Sequence, residues 1–186
     1  MTSLKLTFIR HLCQTDTFSG PKVVVVNRFN CIIISNFSKN FFKDPLGKGQ
    51  PYIPKQRIIH FDLKGAPPKL EFLLRTLKWI KDVGATGVLL EYEDMFPFSG
   101  KLHGISASNS YSKSDIIILI KNCQHIGLEV IPLVQTFGHM EFILKHKQFM
   151  HLRDHPPMPD SICSCHEETM SLITEYIDQV CLSHCY

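Results

Sequence analysis

No run in this chain approaches the ~18 consecutive apolar residues of a membrane span. The nearest candidate, VVVV followed by CIII, is interrupted by Asn27, Arg28, Phe29 and Asn30. The opening residues MTSLKLTFIRHLC lack a secretory pattern, because Arg10 and His11 break a short apolar stretch. A cytoplasmic or nuclear location is the expectation. A strong charge of either sign is also missing: 20 Lys and Arg stand against 17 Asp and Glu, a formal charge of +3, evenly spread. Neither nucleic acid nor a membrane is therefore an expected partner.

The usual catalytic signatures are absent as well. There is no Ser-His-Asp order, no GxSxG and no HExxH. GKGQ lacks both the Gly-rich frame and the Ser or Thr of a phosphate loop. The seven cysteines are an odd number and suggest no closed disulfide set. Cys163, Cys165 and His166, with Cys181, His184 and Cys185, sketch a zinc site. One residue between the first two thiols is wrong for the common zinc frames, so they read as scattered thiols. No metal and no other cofactor is expected.

What is present divides near Pro54 to Arg57. In residues 1–56, KVVVVNRF and NCIIISNF read as a hairpin turning near Arg28 to Asn30. FSKNFFKDPLGKGQPYIPKQ, with its Pro and Gly, reads as a linker. Residues 57–186 read as a domain. There RIIHFDLKG, GVLLEYEDMF and LEVIPLVQTFGHME are three apolar runs that each end in a polar cluster. Helix-like segments separate them, giving the order of βαβ units on a parallel sheet.

The first strand, Ile58 to Leu63, is apolar enough to be covered on both faces. After Pro67 and Pro68, Leu70, Leu73, Leu74, Leu77, Ile80 and Val83 recur at helical spacing, and Gly84 closes the helix. PFSGKLHGISASNSYS reads as an irregular connection. Ser112 and Asp115 then start a second helix whose apolar face is Ile116, Ile117, Ile120, Cys123 and Ile126, ending at Gly127. Trp79 and the isoleucines read as core or near-core residues. Gly138 permits a tight turn or close backbone approach that sets His139 near the sheet edge. Met140 to Leu152 reads as a short helix, HPPMP as a breaker, and Met170, Ile173, Ile177 and Val180 as a last amphipathic helix.

In such folds ligands bind beyond the carboxyl ends of the strands. The residues there are Asp62, Lys64, Glu91, Glu93, Asp94, Gln135 and His139. Neighbouring carboxylates can divide acid and base roles. On one strand, however, Glu91 and Glu93 share a face opposite Tyr92 and Asp94, so all converge only if the strand has already ended. A ligand site and a set of helix-capping or Lys64-paired residues are both open readings.

HFDLKGAPPK, LLEYEDMFPFSG and EVIPLVQTFGHMEFILKH closely resemble glycoside hydrolase family 20 over roughly Gln56 to Val180. The resemblance implies α/β architecture as a partial (β/α)8 TIM barrel of about three βα units, where a full barrel takes ~250 residues. It implies an exo-β-N-acetylhexosaminidase acting on terminal N-acetylgalactosamine or N-acetylglucosamine of a glycan or glycoconjugate, with the galacto sugar favoured in the branch it resembles. Family members use an adjacent Asp-Glu pair after strand four, in which Glu is the acid and base. Its Asp orients the substrate's own acetamide, which attacks with retention of configuration. No such pair occurs here; Glu93-Asp94 is reversed and Glu167-Glu168 lies near a helix start.

The resemblance therefore assigns no catalytic residue. It makes His139 a support for the missing carboxylates and Asp62 a sugar-hydroxyl acceptor, with Lys64 where the family commonly has Arg. Glu91, Asp94 and Gln135 complete the substrate-binding side. The chain is expected to end before strand four and to be inactive alone. An open sheet edge implies a protein partner that covers it, for which Val23 to Ile34 is a candidate from within the chain. The alternative is a non-enzymatic protein-interaction fragment.

Overall fold

The computed structural model describes residues 54–184, which belong to a compact unit that begins at Pro54. The hairpin and linker expected before Pro54, and Cys185, lie outside the described residues. Strands β1 (Ile58–Asp62), β2 (Gly87–Glu91) and β3 (Glu129–Leu133) form a parallel sheet in sequential order. Helices α1 (Leu70–Asp82) and α2 (Lys113–His125) make the crossovers that parallel neighbours require. Leu73, Leu77 and Ile80 are the buried stripe of α1. In α2 it is Ile116, Leu119, Ile120 and Cys123. Ser112 and Asp115 form a reciprocal capping box: Ser112 Oγ accepts from the Asp115 N–H at 3.1 Å, and Asp115 Oδ2 accepts from the Ser112 N–H at 2.9 Å. Gly84 and Gly127 end the two helices with φ of 104° and 73°, where an L side chain would be strained.

The strand covered on both faces is β2, whose five residues are all buried. The expectation for β1 is corrected, since Ile59 is 42% exposed and His60 is exposed as well. β2 also packs closely on β3: a Cβ on Gly87 would lie 2.9 Å from the Glu129 carbonyl oxygen. Trp79 is not core but 64% exposed, and Val83 is 67% exposed. Ile117 likewise leaves the buried face of α2.

Beyond β3 come α3 (Glu141–Leu144), a 3-10 turn (Lys147–Leu152) and an antiparallel hairpin of β4 (Arg153–His155) and β5 (Met158–Ile162). Pro156 and Pro157 break the chain as expected, but they do so as the hairpin's turn. β5 then holds the segment that carries His139. Met140 N–H donates to Asp160 O at 3.0 Å, Ile162 N–H donates to Phe137 O at 3.0 Å, and Gly138 bridges Ser161 between them. The last helix, α4 (Thr169–Leu182), buries Leu172, Ile173, Tyr176 and Val180.

The connection read as irregular holds a 3-10 helix, Gly100–Ile105, with Leu102 and Ile105 buried. Gln179 of α4 ties it down, accepting from the Ser99 N–H at 2.9 Å and donating to Ser99 O at 3.1 Å. An aromatic series runs from Tyr92 through Phe96, Phe98 and Tyr176 to Phe142, with ring centroids 5.0–5.6 Å apart. Such contacts add to area burial and fasten the end of β2 to α3 and α4. Among the described residues no helix is long and apolar enough to cross a membrane.

Candidate functional site

The carboxyl edge of the sheet begins with a like-charge problem. Asp62 and Glu91 end β1 and β2 as direct register partners, and like charges opposite one another repel. Asp62 is exposed, and its Oδ1 accepts the Lys64 N–H at 3.1 Å in a local turn. Glu91 is buried and has both oxygens engaged. His60 Nε2 meets Oε2 at 2.9 Å, and Gln135 Nε2 donates to Oε1 at 2.6 Å. The carboxylate thus spans the sheet from β1 to the segment after β3.

The strand does end before the carboxylates would diverge. Glu93 has φ of 46° and opens a 3-10 turn, Glu93–Met95. For a residue with a Cβ this left-handed backbone costs roughly 1–2 kcal/mol. It turns Glu93 to Lys64, whose Nζ donates to Oε1 at 3.0 Å. Glu93 is only 3% exposed, and its burial pushes the carboxyl up to about 7. The Lys64 hydrogen bond and charge oppose that rise, while Glu91 and Asp62 add to it. Burial alone would lower Lys64, but its hydrogen bond with Glu93 and the charges of Glu93, Asp62 and Glu91 carry it above its ordinary value. One ammonium therefore serves three carboxyl groups, and Glu93 is poised to hold or release a proton near neutral pH.

The other candidates fall apart from this group. Asp94 is buried and paired with Lys145, Nζ to Oδ2 at 2.7 Å; its Oδ1 is buried without a hydrogen-bond partner. His139 carries the turn assigned to Gly138, with φ of 55°, whereas a Cβ on Gly138 would meet nothing within 4 Å. The His139 side chain is exposed and makes no hydrogen bond among the described residues. The structure thus brings Asp62, Lys64, Glu91, Glu93 and Gln135 together, sets Asp94 on Lys145, and leaves His139 facing solvent.

Three participants escaped the sequence reading. His60 had a signal, because it stands two residues before Asp62 on the same strand and so shares its face. Lys145 and Tyr176 had none, since folding alone brings them to Asp94 and to the Gln135 backbone. Burial holds the Tyr176 phenol far above its ordinary value despite a hydrogen bond with the Gln135 backbone, and the charges of Glu93 and Glu91 add to the rise.

No family model matches the chain. Two curated relatives do: hexosaminidase D of Bos taurus is 47% identical over 128 residues, covering 69% of this chain and 37% of the relative. Hexosaminidase D of Homo sapiens is 45% identical over 130 residues, covering 70% of this chain and 27% of the relative. The chain thus spans about a third of the length of the curated relatives it matches. Among solved structures, the GH20 chitobiase of Flavobacterium johnsoniae superposes with a TM-score of 0.58 at 16% identity, over 70% of this chain and 22% of that one. The GH20 β-N-acetylhexosaminidase of Streptomyces coelicolor A3(2) gives 0.57 at 12% identity, over 69% and 31%. At such identities these two show a shared fold.

Proposed function

We propose, from the kinship of this chain with hexosaminidase D and with the GH20 fold, that it forms the sugar-holding side of an exo-β-N-acetylhexosaminidase barrel. In this reading β1, β2 and β3 are the first three strands of a (β/α)8 barrel, and a terminal N-acetylhexosamine sits over their carboxyl ends. The observation that carries it is the polar group at that edge, Asp62, Lys64, Glu91, Glu93 and Gln135. Asp62 and Lys64 offer exposed acceptors and donors for sugar hydroxyls. Glu91, buried and held from both sides, fixes the spacing of the strands beneath them. His139 and Asp94 belong to the margin of the site, next to residues that come from elsewhere in the barrel.

The 186 residues themselves contain no adjacent Asp-Glu pair. In the substrate-assisted reaction of the family, that pair protonates the leaving oxygen and orients the acetamide. A positioned general acid commonly contributes ~10²–10⁴-fold, and charge stabilisation adds a further large factor. Glu93 has a suitable proton affinity, but Lys64 holds it at the sheet edge. The chain alone therefore binds sugar without turning it over. The test is release of the aryl group from aryl N-acetyl-β-galactosaminide and glucosaminide by the purified chain, with His139→Ala and Asp62→Asn as controls. No release is expected. Turnover in the ordinary enzyme range, lost in both variants, would defeat the reading of an inactive portion.

A further inference from the structure

A second cluster of ligating side chains shares no residue with the carboxyl edge. His151 is the last residue but one of the 3-10 turn before β4, and His166 and Glu168 precede α4 after β5. Fifteen to seventeen residues and the whole hairpin separate them in sequence, yet their donor atoms all lie within 4.8 Å of one another. His151 Nε2 and Glu168 Oε2 are 3.4 Å apart. Two ligands on a tetrahedral zinc ion with bonds of ~2.0–2.1 Å are separated by about 3.3–3.4 Å. The His151 and His166 ring centroids are 5.3 Å apart. Two imidazoles bound to one tetrahedral ion hold their centroids about 5 Å apart, from the same bond lengths and the size of the ring.

The backbone holds these side chains together without help. Cys163 N–H donates to Leu152 O at 2.7 Å, clipping the residue after His151 to the start of the second segment. The Cys163 carbonyl then accepts from the hydroxyl of Thr169 at 2.7 Å and from the His166 N–H at 3.3 Å. Thr169 is 3% exposed, so this frame is anchored in the core. His166 Nδ1 accepts from the Glu168 N–H at 3.2 Å, so the acceptor nitrogen of that ring is turned toward Glu168 and its lone pair is engaged there. His151 and Glu168 are exposed and His166 is half-buried, so solvent reaches the cluster.

We propose that His151, His166 and Glu168 bind one divalent transition cation, zinc by preference. Two imidazoles and a carboxylate suit that ion better than magnesium or calcium, which favour oxygen ligands. The cation takes the place of the His151–Glu168 hydrogen bond and displaces the Glu168 N–H from the His166 lone pair. It thereby links the residues just before and just after the hairpin and closes the hairpin's base. His166 thus belongs with a histidine and a glutamate across a hairpin, and the thiols of Cys165 and Cys163, one and three residues away, take no part.

The test is calorimetric titration of the purified 186-residue chain with Zn2+ alone, joined to the absorption spectrum of the Co2+-loaded chain. One tight equivalent is expected, with a tetrahedral nitrogen and oxygen spectrum and no thiolate-to-cobalt charge-transfer band. His151→Ala and Glu168→Ala should each weaken binding by more than the ~10–100-fold typical of losing a supporting partner. Cys163→Ser with Cys165→Ser should leave the affinity unchanged. Absence of a tight equivalent, thiolate bands in the Co2+ spectrum, or full affinity in His151→Ala or Glu168→Ala would overturn the site. The spectrum of the unsubstituted chain decides the ligand set even if a variant folds poorly.

Discussion

Glu93 joins a strained backbone to a carboxyl whose folded-state value is about 7. The unfolded value is ~4.3. Between the two the folded chain keeps the proton and the unfolded chain does not. The stabilisation is therefore complete below the unfolded value and is lost as pH rises through this window. Its size is ~3 kcal/mol as an order of magnitude. Glu93→Gln should flatten the fall in Tm between about pH 4.3 and 7, followed by thermal melts across that range. Lys64→Met removes the opposing charge and should move the Glu93 titration upward, read by carbon NMR of the side-chain carboxyl. A downward movement would mean that Lys64 does not hold Glu93 in solution. Glu91, by contrast, is fastened by His60 and Gln135, so Gln135→Ala should loosen the edge without removing an exposed sugar contact.

Gly87 is where the spacing of two strands depends on the lack of a side chain. A Cβ at 2.9 Å from the Glu129 oxygen forces β2 and β3 apart. Gly87→Ala should cost ~1–3 kcal/mol, measured by denaturant unfolding, and an unchanged midpoint would contradict the packing of these strands. The three strands and two crossover helices were legible because apolar runs, helical spacing and glycine stops coincide at Leu70–Gly84 and Ser112–Gly127. The faces of those helices were less so. Trp79 lies roughly 200° around the helix from Leu77, at about 100° per residue, so apolar character alone misplaced it. The hairpin escaped because RDH and MPDSI are short and polar. At the site, Asp62, Glu91 and Glu93 were visible as strand-end carboxylates. The left-handed backbone at Glu93 and His139, which decides where each points, leaves no mark in residue type.

For the described residues as a body, protection should follow coverage. β2 lies between two strands and is wholly buried, so amide exchange at Val88 to Leu90 should be the slowest. β1, with Ile59 and His60 exposed, should exchange sooner. Equal rates would place the order of the sheet elsewhere.

The grip of β5 on Phe137, Gly138 and Met140 bears on how the chain tolerates change of length. His139 is held on either side by strand backbone, and Pro156 and Pro157 at the tip are exposed and touch none of that segment's bonds. The tip is accordingly a place where a tag or a short foreign loop can be spliced in while the His139 turn keeps its shape. One residue added inside Met158–Ile162 would instead slide Asp160 and Ile162 out of register and release the turn.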